Sequence, residues 1–113
     1  MRYLELNRKV RDVRMLAIQG IAEAGSGHPG ASFSAAEIMG VLYFHKMKHK
    51  PSDPLWEGRD YFVNSKAHSA PGFYAVLATA GYIDTKEIKT LRKLGSRLQG
   101  HPGGSADGVH EHP

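Results

Sequence analysis

The sequence predicts an α/β fold, predominantly helical with one or two short strands. Two observations carry that expectation. Apolar residues recur at steps of three and four over long stretches punctuated by Gly and Pro, and one short run, Asp60–Ser65, reads instead as extended chain between polar boundaries. A third observation bounds it. At 113 residues, with 41% hydrophobic and 23% charged, the chain has the size and balance of one average globular domain, and is too short for two domains of ordinary size.

The first helix follows from Leu6, Val10, Val13, Ala17, Ile21 and Ala24, which fall on one helical face, while Arg8, Lys9, Arg11, Asp12 and Arg14 lie mostly on the other. Gly25, just past the last periodic residue, is a stop signal. Gly25-Ser26-Gly27-His28-Pro29-Gly30 cannot continue the helix and reads as a loop. The second helix is expected to start at Ser34, because Ser34-Ala35-Ala36-Glu37 has the spacing of a capping box. Its body, Ile38–Phe44, is apolar nearly all round. That predicts burial on most sides and hence a covering partner, another domain or another subunit.

Pro51-Ser52-Asp53-Pro54 breaks the chain ahead of the predicted strand Asp60–Ser65. A third helix is expected over Ser69–Ala80, with Pro71 tolerated in its first turn and Gly81 ending it. Asp84-Thr85-Lys86-Glu87 repeats the box spacing and opens a fourth, basic helix through about Leu94. From Gly95 on, helix and strand signals fade, and Gly100–Pro113 reads as loop or frayed tail.

The formal charge is +4, from 15 Lys and Arg against 11 Asp and Glu. Lys46, Lys48 and Lys50 form one cluster; Lys86, Lys89, Arg92, Lys93 and Arg97 form another. No aromatic residue interleaves with either, so both read as solvated helix faces rather than a nucleic-acid surface. A basic surface also suits a phosphorylated small substrate. The absence of Cys excludes a disulfide framework, a Cys-based zinc site and a Cys nucleophile. The first residues lack the apolar core of a signal peptide, and no apolar run reaches the length of a membrane span. The expectation is a soluble cytoplasmic protein that binds neither membrane nor nucleic acid.

Seven His residues are the remaining candidates for chemistry. Gly25, Gly27 and Gly30 spell G-x-G-x-x-G, but a helix rather than a strand precedes them, and the nearest acidic candidate, Asp53, lies in a Pro-flanked turn. The dinucleotide fingerprint is therefore rejected. A Gly-rich turn accounts for the glycines, but not for His28 with Pro29 behind it, an exposed imidazole on a rigid loop. His45 and His49 are spaced to share a helix face. Without a carboxylate nearby, and with three Lys crowding them, they read as a solvated face rather than a zinc site. His110 and His112 lie in the tail. His68 follows the predicted strand and opens the third helix, where helix N–H groups can meet phosphates; a capping or packing role is the other reading. Gly100-His101-Pro102-Gly103 repeats the His-Pro-Gly chemistry of the first loop.

Taken together these motifs resemble one family. Ser26-Gly27-His28-Pro29-Gly30 after a first helix is similar to the opening motif of transketolases. Asp60-Tyr61-Phe62-Val63-Asn64-Ser65-Lys66-Ala67-His68 resembles their strand and following His turn, and Gly95-Ser96-Arg97-Leu98-Gln99-Gly100-His101-Pro102 their third His loop. The likeness is strongest to the short N-terminal subunits of split transketolases. It implies that residues 1–102 are the N-terminal part of a diphosphate-binding domain, followed by a divergent or frayed tail over 103–113.

The resemblance further implies catalytic roles for His28 and His101 and a cofactor-binding role for His68. His28 would hydrogen-bond the sugar donor and the thiazolium intermediate, His68 would contact the cofactor's diphosphate region, and His101 would bond donor hydroxyls and assist proton transfer. Thiamine diphosphate and Mg²⁺ are implied for the complete enzyme, and sugar phosphates as substrates. A pyrimidine-domain subunit or the remainder of a longer chain, in a homo- or hetero-oligomer, would be the partner. Two departures stand out. Position 67 is Ala where the family has Gly. The Asp–Asn pair that holds Mg²⁺ and the Glu that activates the aminopyrimidine have no counterpart, so no metal ligand is assigned and no activity is expected from these residues alone. The alternative is a truncated remnant acting only as an assembly or interaction module.

Overall fold

A computed structural model describes residues 3–99, without the side chain of Ala67. The tail with His101, His110 and His112 lies outside those residues. The described part is built on α1 (Tyr3–Ala24), α2 (Pro29–Val41) and α3 (Ala70–Ala80). Shorter helical pieces follow α2 (a π turn, Leu42–Lys46), precede α3 (a 3₁₀ turn, Ala67–Ser69) and follow it (a 3₁₀ helix, Thr85–Thr90).

α1 forms as its periodicity dictates. Val10, Val13 and Ala17 are buried, Leu6 and Ile21 half-buried, and Gly25 takes φ 74° to end the helix. α2 starts earlier than expected, at Pro29 instead of Ser34. Pro at the first helical position has its φ already set and loses no needed N–H there, and this outweighs the capping box. The Ser34 hydroxyl donates back to the Ala31 carbonyl (3.1 Å) instead of capping. The expected all-round burial is also displaced. α2 buries Ser32, Ala36, Met39 and Gly40, but leaves Ile38 64% and Val41 39% exposed.

The fully enclosed helix is α3. Every residue from Ala70 through Ala78 is buried, and the helix packs on α1, α2 and the 3₁₀ helix. Its sequence, Ala-Pro-Gly-Phe-Tyr-Ala-Val-Leu-Ala, carries no charge, so no face of it needs water. Gly81 closes it in the left-handed conformation, with its N–H on the Leu77 and Ala78 carbonyls (3.1 Å each). At the other end Gly72 is required by contact. A Cβ there would lie 2.9 Å from Ser32 Cβ and 3.1 Å from its Cα, so α2 and α3 meet almost backbone to backbone.

The expected strand does not form. Residues 60–65 run without strand structure, and no strand occurs among the described residues. A strand is a pairing property, and among the described residues this segment forms no strand ladder with another. The segment is pinned at its start instead, where Asp60 N–H donates to the Lys48 carbonyl (2.7 Å) and Lys48 N–H donates to the Asp60 carboxylate (2.8 Å).

The fourth helix is shorter than expected and of the 3₁₀ type. It opens as predicted, with the Asp84 carboxylate accepting from Lys86 N–H (2.9 Å). It ends at Thr90, because Ile88 and Leu91 both bury against α1 and a three-residue spacing eclipses in a 3₁₀ turn. Glu87 does not complete a capping box; it pairs with Arg97. Among the described residues no helix is long and apolar enough to cross a membrane.

Gly72→Ala tests the α2–α3 approach. The added methyl meets the backbone of Ser32, which cannot rotate away, so unfolding by denaturant should show a loss of about 1–3 kcal/mol.

Candidate functional site

Two of the three predicted site residues come together. His28 is the residue immediately before α2, with φ −122°, at the end of a tight loop. Gly27 in that loop has φ 152°, and a Cβ on it would sit 2.8 Å from the Ile21 side chain, so the loop is pressed onto α1. His68 lies in the 3₁₀ turn that leads into α3. The two rings face each other with centroids 4.5 Å apart and planes tilted by 50°. Both are exposed, and neither hydrogen-bonds to a described residue.

The turn carrying His68 is held by a buried polar network. Asn64 Nδ2 donates to Ser69 Oγ (3.0 Å), Ser69 Oγ donates to the Lys66 carbonyl (2.7 Å), and Lys66 N–H donates to Asn64 Oδ1 (3.2 Å). Asn64 is 7% and Ser69 0% exposed. These groups have no water to fall back on, so the loop has one arrangement. The Lys66 ammonium reaches across to the Ser34 hydroxyl of α2. The backbone at position 67, where the family has Gly, does not take positive φ; among the described non-Gly residues only Arg92 does.

The rings open onto a cavity of about 510 Å³ lined by Gly27, His28, His68, Pro71, Leu91, Arg92 and Gln99. Its far wall is the segment after the 3₁₀ helix. Arg92 N–H donates to the Leu98 carbonyl (2.7 Å), and Leu98 is fully buried. The Tyr74 hydroxyl of α3 donates to the Gln99 carbonyl (2.6 Å). Burial pushes that hydroxyl up to about 12, so it remains a donor through ordinary pH. Arg97 grips Glu87 through two bonds, Nε to Oε1 (2.6 Å) and Nη2 to Oε2 (2.9 Å). Thr90 and Ser96 hydroxyls bond across the same turn (2.8 Å). His101 lies outside the described residues, two positions beyond Gln99 in the cavity wall.

Arg92 is the site residue that the sequence did not single out. It stands in the basic cluster read as a solvated face, yet it adopts φ 62° and lines the same cavity as the imidazoles. A left-handed Arg costs about 1–2 kcal/mol of backbone strain, and no sequence signal marks it. His49 departs from its reading as well. Its Nδ1 accepts from the Tyr82 hydroxyl (2.6 Å), and its Nε2 donates to the Tyr43 carbonyl, so it is a half-buried clamp rather than part of a solvated face with His45. Among the described residues no group of three His, Asp or Glu side chains is placed to hold a metal ion.

Two imidazoles beside the starts of α2 and α3, with Arg92 lining the same cavity, suit an anionic group, since helix N-termini carry partial positive charge and free N–H groups. The family model for the thiamine diphosphate binding domain of transketolase matches residues 6–112, and the chain belongs to that family. It is 51% identical to human transketolase over 90 residues, covering 80% of this chain and 14% of that protein. It is 41% identical to transketolase of Buchnera aphidicola over 107 residues, covering 92% and 16%. Among solved structures, Campylobacter jejuni transketolase superposes with a TM-score of 0.86 at 37% identity, over 96% of this chain and 17% of that one. A Pichia stipitis transketolase in complex with sedoheptulose-7-phosphate gives 0.80 at 35% identity, over 92% and 16%. The chain thus spans about one-seventh of the length of the relatives it matches.

The Glu87–Arg97 grip sets an acid limit on this wall. The Arg97 hydrogen bond holds the Glu87 carboxyl below its ordinary 4.5, against a smaller opposing effect of burial. A carboxylate lowered on folding adds stability above its unfolded pKa and loses it as pH falls through the folded value. Glu87→Gln should therefore cost about 0.2–1 kcal/mol at neutral pH. Its stability curve and the parent's should converge in acid, as read by thermal unfolding against pH.

Proposed function

We infer that this chain is the N-terminal portion of a transketolase, which moves a two-carbon ketol unit between sugar phosphates with thiamine diphosphate. The observation that carries the reading is the pairing of His28 and His68 across one cavity, on a segment whose fold matches transketolases with a TM-score of 0.86. Thiamine diphosphate supplies the carbanion-stabilising chemistry when bound. The described residues fit its anionic end. His68, beside the start of α3, takes the diphosphate region. His28 hydrogen-bonds the sugar donor, and His101 bonds donor hydroxyls and helps move protons. A neutral imidazole both donates and accepts, which suits a substrate whose oxygens change between carbonyl and hydroxyl. Arg92 adds a fixed positive charge for a phosphate. Among the described residues no group of three His, Asp or Glu side chains is placed to hold Mg²⁺. The sugar phosphate named for the Pichia stipitis complex indicates the substrate class. The complete site requires a pyrimidine-binding partner, from a longer chain or another subunit, and the location is cytoplasmic.

A second reading, an assembly module without catalysis, rests on the exposed apolar side chains of α1 and α2. Met15 is 55%, Ile18 43% and Ile38 64% exposed, and Met15 and Ile18 line a small apolar groove with Phe33.

The two readings separate in a chimera in which this chain replaces the matching segment of full-length Campylobacter jejuni transketolase. Ketol transfer should survive, and His28→Ala or His68→Ala in the chimera should lower kcat/KM by roughly 10²-fold or more. A folded, dimension-matched chimera without turnover, or one indifferent to both substitutions, refutes the catalytic reading. Arg92→Gly should raise KM for the sugar phosphate, while changing stability by less than about 1 kcal/mol because the left-handed strain is relieved. The 113-residue chain alone, with thiamine diphosphate and Mg²⁺, should show no turnover.

A further inference from the structure

Helix α3 is capped by a residue that does not belong to it. The residue before it, Ser69, makes no side-chain cap bond, because its hydroxyl is committed to Asn64 and the Lys66 carbonyl. Pro71 has no N–H. The next first-turn donor, Gly72 N–H, is buried and would be left without a partner. It donates instead to Ser32 Oγ of α2, at 2.9 Å. Ser32 is 1% exposed, and a Cβ on Gly72 would meet it at 2.9 Å, so the bond and the absent side chain define one contact.

The position of this contact matters for the site. Ser32 lies one turn after His28, with its N–H directed to the His28 carbonyl (3.4 Å). Gly72 lies one turn after His68. The bond therefore ties α2 to α3 one helical turn behind each of the two facing rings. Without the acceptor, the buried Gly72 N–H must find another partner, and the first turn of α3 must shift or fray to reach one. His68 moves with that turn.

We propose that Ser32 is a positioning residue of the site: by capping α3 from α2, it sets the separation and tilt of the His28 and His68 rings. The proposal deepens the transketolase reading, on which its functional meaning rests, but its test needs no ligand. In the free 113-residue chain, the Gly72 amide should exchange slowly with solvent, and the ring protons of His28 and His68 should show a mutual nuclear Overhauser contact. Ser32→Ala should speed Gly72 exchange roughly tenfold, the effect of one lost hydrogen bond, and should weaken the ring contact by about half or more. Val13→Ala, a core truncation in α1, is the stability control and should leave the ring contact intact.

A ring contact unchanged in Ser32→Ala overturns the proposal, as does an equal loss in Val13→Ala. If Ser32→Ala does not fold, the parent still decides, because an unprotected Gly72 amide overturns it alone. Failure of the folded chimera to turn over with thiamine diphosphate would count against the transketolase reading and leave these readouts unaffected.

Discussion

The enclosure of α3 is the constraint from which the rest of the structure follows. A helix with no charged residue must be covered on every side, and α1, α2 and the Thr85–Thr90 helix do so. Each covering element is shaped by that task. α2 approaches closely enough to exclude a Cβ at Gly72. The 3₁₀ helix keeps its three-residue spacing so that Ile88 and Leu91 both reach the interior. The chain then turns through a strained Arg92 and buries Leu98, and Tyr74 fastens the Gln99 carbonyl from inside α3. The cavity is what remains between the starts of α2 and α3 and this returning segment.

Much of this was legible in the sequence, because local signals and global packing agree there. The periodic face of α1, the Gly stops at positions 25 and 81, Pro71 in the first turn of α3 and the Asp84 cap all act within a few residues. The misses have a common cause. Ser34 loses its capping role to Pro29 because both sit near the same helix start, and spacing alone cannot rank them. Asp60–Ser65 has strand composition but no pairing partner among the described residues. All-round apolar sequence occurs in both α2 and α3, and only tertiary packing decides which becomes central. Arg92 could not be found, since it matches neighbouring basic residues in composition and differs only in backbone conformation.

The candidate site was legible to a similar depth, and for a chemical reason. His28 and His68 stand out because Gly, Pro and Ser around them leave little else to explain an imidazole at those positions. The fold adds selectivity among the His residues. His49 spends both ring nitrogens on Tyr82 and the Tyr43 carbonyl. The buried hydroxyls and amides near the site are likewise spent. Asn64 and Ser69 hold the His68 turn, Ser32 holds Gly72, and Thr90 and Ser96 hold each other. Of the second basic cluster, Arg97 is bound to Glu87, whereas Arg92 lines the cavity.

That division of labour explains why the two rings can be held close with no ring hydrogen bond to another described residue. A pair of exposed imidazoles has no intrinsic reason to stay 4.5 Å apart, since ring contact in water is weak compared with side-chain entropy. Their spacing must come from the backbones that carry them. Those backbones are fixed by buried bonds whose alternatives are unsatisfied groups, each costing on the order of 1–3 kcal/mol. The site is therefore rigid where it is buried and free where it is exposed. The backbones that carry the two imidazoles are thus already placed, and no ligand need supply the free energy to order them.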